Sequence, residues 1–422
     1  MPTNTANPAQ TARRKRFALV AVTVAVFNIA FAGISLREGA ADAPAADAPA
    51  ADAAAAIQPM IAAVPPTAEH EAARTPRVTQ AISDTRFVIH ISVDGLGSAW
   101  YQPVLASGVL THFKRLQDQG AWTHNARTDF DFTITLPNHT GMLTGRPVLD
   151  KNGETGSGHH WTTNTTPAAG VTLHNTAGYY IASAFDVAHD SGFSTSLYAS
   201  KEKFILYDTS YDVGHGAPDT TGVDFGPDKI DAYSSYDLDS TRMMSDFLRA
   251  MTDTPTQYTF VHFNDADTAG HAKGWGSAEY NDAVASVDAK LGKILALIDA
   301  SAAMRDHTWI VLSADHGGGG LTHVDITLPT NFTIPVILWG PGIAANSDLY
   351  AINGRAATDP GASRPDSASK IGQPIRNTDT GNCALQLLGL PTIPGSRSNG
   401  LRQACGGPSR VYLPLLLAAD RQ

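Results

Sequence analysis

Seven side chains along this 422-residue chain are of types that can do chemistry together. They are Asp94, Thr135 in T-L-P-N-H, Asp267 and His271 in D-T-A-G-H, Asp315 and His316 in A-D-H-G, and His323. Hard carboxylates mixed with imidazoles suit divalent ions, zinc first, with manganese accepted by the same ligands. A pair of such ions is a tool for in-line displacement at phosphorus. Thr135 supplies a hydroxyl, which is a poor nucleophile until a base or a metal activates it. Singly, each signal has a plainer reading. An Asp-x-x-x-His is usually surface coincidence, a lone histidine such as His323 is usually just exposed, and a threonine before Pro-Asn-His is an ordinary helix cap.

Position in the chain separates the two readings. Phe87 to Val93 is a β-rich apolar run that ends directly in Asp94. Further strands are predicted at Ser194–Tyr198, Tyr258–Phe263, Trp309–Leu312 and Thr333–Trp339. Helical patterns alternate with them: Thr111–Gln119 stopped by Gly120, Asp239–Met251, and a long one over Ala278–Ala300. The last carries Val284, Val287, Leu291, Ile294, Leu295 and Ile298 as one apolar stripe. Alternating strands and helices imply an α/β fold, a mostly parallel central sheet sandwiched by helices. Such sheets bind ligands outside the carboxyl ends of their strands. Asp94, Asp267 and the Asp315–His316 pair all fall at or just past those ends, so one rim would gather residues far apart in sequence.

Local signals refine the picture. Pro137 marks a helix start behind Thr135, where free N–H groups and the positive end of the helix dipole favour an anion. Asp267 and His271 are four apart, so a helical turn or a tight loop could aim both at one ion, and Gly270 and Gly274 point to the loop. Gly317 to Gly320 predict a sharp turn that lets adjacent Asp315 and His316 serve one ion. Tyr207 to Tyr236 lacks helix or strand period and reads as a long specificity loop, or equally as plain surface loop. In the first reading Tyr207, Tyr211, Phe225 and Tyr233 stack on a base or line a leaving-group pocket.

These motifs resemble the alkaline phosphatase superfamily, and within it the nucleotide pyrophosphatase/phosphodiesterase branch, over roughly residues 86–400. V-D-G-L at 93–96 is similar to that branch's first metal motif. T-L-P-N-H-T-G-M-L-T-G is similar to its nucleophile motif, and A-D-H-G to its S/A-D-H-G metal motif. D-T-A-G-H resembles P-D-x-x-G-H with Ala266 where proline is usual, and Val324 follows His323 where glycine is usual. L-L-G-L-P at 387–391 resembles a segment of phosphatase and sulfatase relatives. The resemblance implies two divalent ions. Asp94, Asp315 and His316 would hold the one that touches Thr135, and Asp267, His271 and His323 the other. It also implies a covalent phosphoryl- or nucleotidyl-threonine that water then hydrolyses. Asn164, in H-H-W-T-T-N, keeps the spacing of the branch's phosphate-binding asparagine, with a turn asparagine as the plain alternative. Lys201, in S-K-E-K, resembles a substrate-binding lysine of sulfatases, with a solvent-facing lysine as the plain alternative.

The remaining sequence bounds the setting. A net charge of −10 excludes sequence-independent binding of nucleic-acid duplexes but not of small phosphorylated substrates. Arg13-Arg14-Lys15-Arg16 precedes an apolar run from Phe17 to Leu36 that contains Ala30-Phe31-Ala32. Residues 1–38 therefore read as a secretory signal or an uncleaved membrane anchor. Residues 39–85, rich in Ala, Asp and Pro, read as a disordered tether, and 86–422 as the catalytic domain. The expectation is an exported, periplasmic or extracytoplasmic protein, in which Cys383 and Cys405 could pair. The leading function is a metal-dependent phosphodiesterase or nucleotide pyrophosphatase. The rivals are a phosphomonoesterase on the same site and an inactive binding protein on the same fold. A sulfatase fits less well, because Thr135 and His139 stand where its C/S-x-P-x-R motif is expected.

Overall fold

The run Phe87–Val93 forms strand β1, and all seven of its residues are buried. Successive side chains of a strand point to opposite faces, so a strand buried throughout needs cover on both sides of its sheet. The computed structural model describes residues 85–218, 226–368 and 372–406. The proposed signal or anchor and the tether lie outside the described residues, as does the C-terminal stretch from 407. Among the described residues no helix is long and apolar enough to cross a membrane.

Seven further strands complete the sheet: β2 (Ala121–Arg127), β3 (Thr195–Ala199), β4 (Ala232–Ser235), β5 (Tyr258–Phe263), β6 (Thr308–Ser313), β7 (Thr333–Trp339) and β8 (Ser347–Asp348). Their order is β4-β3-β5-β1-β6-β7-β2-β8. All run parallel except β7, which is antiparallel to both β6 and β2. Flanking helices make this the expected α/β fold, a mostly parallel sheet between helices. The five strands expected from the sequence are all present. β2, β4 and β8 were not expected. β2 is broken by a register shift between Thr123 and Ala126 and mixes Trp, Thr, His and Asn, which blurs any period of two.

The expected helices also form. Label as α1 Thr111–Gln119, α2 Thr135–Thr144, α3 Ser240–Asp253, α4 Asp265–Lys273, α5 Ala278–Ala300 and α6 Asp379–Leu388. Asp239 caps α3 by accepting the N–H of Arg242. The stripe on α5 is buried along its whole length. Cys383, on α6, is disulfide-bonded to Cys405.

Two expectations are corrected. The Asp267–His271 segment is the helix α4, not a loop. Gly270 lies within the helix and leaves room for the Trp275 ring, which a Cβ there would meet at 2.5 Å. The stretch from Tyr207 to Tyr236 is likewise not one long loop. A helix at Ile205–Ser210 holds Tyr207, and β4 holds Tyr233. Tyr207 and Tyr211 are fully buried. Their hydroxyls reach backbone carbonyls of Leu136 and Ile181, at 3.3 and 3.0 Å. They brace the scaffold and are not available to stack on a base. Phe225 lies outside the described residues. Elements of four to six residues are too short to show a period, which is why the sequence read as irregular there.

Candidate active site

Four neighbouring parallel strands, β3, β5, β1 and β6, each deliver one charged side chain past their carboxyl ends. In that spatial order these are Lys201, Asp267, Asp94 and Asp315. The backbone locks two of them together: Asp94 N–H donates to Phe263 O, and Asp267 N–H donates to Asp94 O. Gly95 makes this approach possible. It has φ +73°, and a Cβ on it would lie 2.8 Å from the Asp267 Cα.

Thr135 arrives from the other side, as the first residue of α2. It is buried, and its hydroxyl lies 3.4 Å from His316 Nε2. The helix cap is Ile134, with no side-chain capping bond, so Thr135 is not the ordinary cap its sequence allowed. The hydroxyl faces the cluster of acids and imidazoles instead.

His316 Nε2 is the centre of that cluster. It stands 3.1 Å from Asp315 Oδ2, 3.4 Å from Asp94 Oδ1 and 4.0 Å from Asp267 Oδ1. The His323 ring stacks on the His316 ring at 3.6 Å, and its Nε2 lies 3.8 Å from Asp267 Oδ1. Two ligand triplets result, Asp94–Asp315–His316 and Asp267–His316–His323, sharing His316. His271 sits at the outer edge, about one-third exposed, with Nε2 3.4 Å from Asp267 Oδ1 and Nδ1 against Leu321 O. All six ligand candidates and Thr135 are thus brought together.

The donor set fits divalent cations. Asp94 Oδ1, Asp267 Oδ1 and Asp315 Oδ2 are buried and have no hydrogen-bond partner. A buried carboxylate oxygen without a donor is costly. Three carboxylates face a single ammonium, that of Lys201, so ionised together they leave excess negative charge for a cation to offset. Burial lowers the proton affinity of His316 and brings His323 to about 3, with the neighbouring His316 adding to the latter. Both rings are therefore neutral, the form that ligates metal. Burial together with Asp94 and Asp267 pushes Asp315 well above the usual carboxylate range. Burial alone would raise Asp94 too, but Lys201 and His262 outweigh it and hold Asp94 well below that range.

Lys201 is not the solvent-facing lysine that its context allowed. It is buried, with its ammonium 2.6 Å from Asp267 Oδ2 and 2.9 Å from Asp94 Oδ2. Asn164 lies next to the start of α2, its Oδ1 accepting the N–H of Leu136, the residue after Thr135, at 3.0 Å. Of the four glycines expected to make a turn, Gly320 does so, with φ +61° inside the tight turn closed by the Gly319–Thr322 backbone bonds, whereas Gly317 and Gly318 serve close approach. A Cβ on Gly317 would meet Thr330 O at 2.0 Å, and one on Gly318 would meet the Trp275 ring at 2.1 Å.

Several supporting residues were assigned no role in the site from the sequence. His262, on β5, contacts Asp94 Oδ2 through Nε2 at 2.9 Å. His139 links Ser92 Oγ to the carbonyl of Thr135 and stands 3.5 Å from Asp315 Oδ2. Trp275 and Tyr280 both donate to Gly95 O. The signal for His262 was available: it is the one titratable imidazole in a mostly apolar, fully buried strand. The segment around His323 is a further surprise. Leu321, Val324, Ile326 and Leu328 are exposed large apolar side chains flanking it. Two bonds of 2.6 Å between Thr133 and His323 clasp that segment to the strap before Thr135.

Sheet and site together make this an α/β protein with a candidate metal-binding rim at the carboxyl ends of a mostly parallel sheet. The family model described as type I phosphodiesterase / nucleotide pyrophosphatase matches residues 88–358, and the chain belongs to that family. Among solved structures, murine ectonucleotide pyrophosphatase/phosphodiesterase 5, in an inactive form with AMP, is similar at 12% identity. The match covers 74% of this chain and 96% of that one, with a TM-score of 0.50. A phosphonate monoester hydrolase from Silicibacter pomeroyi is similar at 14% identity, covering 77% of this chain and 78% of that one, with a TM-score of 0.51.

Proposed function

We propose that this chain is an exported phosphodiesterase or nucleotide pyrophosphatase that works through a covalent threonyl intermediate at Thr135. The observation that carries the reading is the set of three partnerless carboxylate oxygens gathered around His316, next to the Thr135 hydroxyl. Asp94, Asp315 and His316 are assigned to one divalent ion, and Asp267, His323 and His271 to the other, with zinc suiting the donors and manganese accepted by them. When bound, the ions supply positive charge at the phosphoryl group and lower the proton affinity of hydroxyl and water oxygens.

The chain's own groups do the rest. Thr135 Oγ forms the bond to phosphorus and loses its proton, and the ester or anhydride oxygen opposite leaves with its electron pair. Water then cleaves the threonine–phosphorus bond, returning the hydroxyl. The first turn of α2 offers its N–H dipoles to the phosphoryl oxygens. Asn164 is assigned to hold one of those oxygens, since its amide already lies on the backbone of Leu136. Lys201 acts behind the site by holding Asp94 and Asp267. The AMP held by the murine relative supports a small nucleotide or similar phosphodiester as substrate. The basic cluster and apolar run at residues 13–36 and the Cys383–Cys405 disulfide support export.

The test is hydrolysis of bis(4-nitrophenyl) phosphate against 4-nitrophenyl phosphate by the full chain, with bound metal measured on the same sample. About two ions per chain and faster diester turnover are expected, as the paired-ion reading requires. Faster monoester turnover would reassign the site to a phosphomonoesterase. Stoichiometric metal with neither activity would make it a binding protein.

A further inference from the structure

Away from the catalytic rim, a cavity of about 440 Å³ opens between the segment after α2 and the C-terminal part of the fold. None of the ligand candidates lines it, nor does Thr135. Its volume lies within the range of about 300–1,000 Å³ usual for small-molecule sites. The chain as a whole is acidic, at −10. This cavity is the reverse: Lys151, Arg355, Arg376, Arg397 and Arg402 line it against Glu154 and Asp379.

The charges do not cancel locally. Asp379 is buried and already accepts the N–H groups of Arg376 and Gly400. Glu154 is paired with Arg397, and Lys151 with Asp131. Arg355 and Arg402 are exposed, and neither guanidinium has an acidic partner among the described residues. Yet the fold holds these two like charges at one cavity. Gln403 Oε1 accepts the Arg355 N–H at 3.2 Å, and Asn353 Oδ1 accepts the N–H groups of Gln403 and Ala404. The Cys405–Cys383 disulfide staples the same turn to α6. Arg376 forms the floor. It is 3% exposed and stacks on Phe130 at 3.7 Å, and its Nη1 and Nη2 donate to the carbonyls of Thr128 and Pro365 at 2.7 and 2.6 Å, which fixes its charge beneath the cavity.

Like charges held together without a counter-ion are unfavourable unless something anionic joins them. Arginine forks match phosphate oxygens in geometry as well as charge. We infer that this cavity is a second site of the protein, one that takes the phosphate group of a small phosphorylated molecule on Arg355 and Arg402, above the fixed charge of Arg376. The inference stands apart from the catalytic reading, because it uses none of the same residues.

The experiment is equilibrium dialysis of labelled inorganic phosphate against the full chain after its metals have been removed by chelation, which disables the catalytic site. One phosphate per chain is expected. In Arg355→Gln/Arg402→Gln its affinity should fall at least about tenfold, as loss of charge-assisted hydrogen bonds implies. Turnover of the metal-loaded double variant on nitrophenyl esters should match the parent. If the chelated parent binds no phosphate, or the double variant binds it as tightly as the parent, the site does not exist. Should the double variant fail to fold, Arg402→Gln alone replaces it and should still weaken binding severalfold.

Discussion

The Lys201 ammonium lies 2.6 Å from Asp267 Oδ2, inside the site and shielded from solvent. Its other contact, Asp94 Oδ2 at 2.9 Å, makes it a cationic bridge between the two proposed metal positions. Each carboxylate thereby keeps only Oδ1 turned toward His316. Burial by itself would lower the lysine's proton affinity, but the two carboxylates outweigh burial and raise it, so it stays charged. Removing one partner of a buried ion pair costs roughly 3–5 kcal/mol. Lys201→Met should therefore destabilise the metal-free chain by about that much, while added zinc should raise its melting temperature by more than it raises the parent's. Melting curves with chelator and with zinc decide this. Equal zinc-induced shifts in variant and parent would show that the ammonium does not balance the acids.

Thr135→Ala should abolish turnover, by roughly a thousandfold or more, as losing a nucleophile does in enzymes of this kind. Metal content should persist, because the carboxylate and imidazole donors remain. Thr135→Ser keeps the hydroxyl and should keep part of the rate. Near-parental turnover in the alanine variant, with metal still bound, would remove Thr135 from the mechanism.

Asp315 divides its oxygens. Oδ1 accepts the N–H groups of Gly95 and His316 at 3.0 and 2.8 Å, and Oδ2 is the partnerless one. Asparagine can keep the first role but offers an NH₂ group in place of Oδ2, which cannot ligate a cation. Asp315→Asn should fold as the parent does and lose one ion per chain, together with activity. Elemental analysis of the purified variant measures this, and unchanged metal content would refute the ligand assignment.

The exposed apolar side chains around His323 should contact the organic group of the ester. Burying a few methylene groups contributes about 1–3 kcal/mol to substrate discrimination. Leu321→Ser/Val324→Ser should then raise KM for a diester with two aromatic groups about tenfold. It should leave kcat unchanged, and KM for the methyl 4-nitrophenyl ester nearly so. An equal rise for both substrates would show that the segment acts on the metals and not on the leaving group.

Asp208 gives a pH dependence outside the site. Burial, then Asp228 and Asp212, raise its carboxyl to about 6 from an ordinary value of 3.8. Between those two values the folded chain holds a proton that the unfolded chain has lost, so this group's contribution to stability falls as pH rises through the window and stays low above it. Asp208→Asn removes that loss. The variant should melt with the parent at pH 4 and above it at pH 8. A gap that is constant with pH would mean that Asp208 ionises normally.

Much of the site was legible in the sequence because each chemical residue follows a recognisable strand. The apolar runs before Asp94, Asp267 and Asp315 are periodic and long, and a parallel sheet has only one end at which its ligands gather. Thr135 was legible because Pro137 announces a helix behind it. The glycine-rich segments misled in part: Gly320 makes the expected turn, but glycine allows close packing as well as turns. Gly270 and Gly317 serve packing, against Trp275 and Thr330, and such partners cannot be read from spacing.

What the sequence by itself determined is therefore the fold class, the rim where the candidate site gathers and the residue types on it, all consequences of local pattern and strand polarity. What only the tertiary structure decided is pairing: Lys201 between Asp94 and Asp267, the shared position of His316, the brace formed by Tyr207 and Tyr211, and Arg355 brought to Arg402. The reason is physical. A buried charge takes its role from whatever the fold sets within a few ångströms of it, and those neighbours lie tens to hundreds of residues away along the chain.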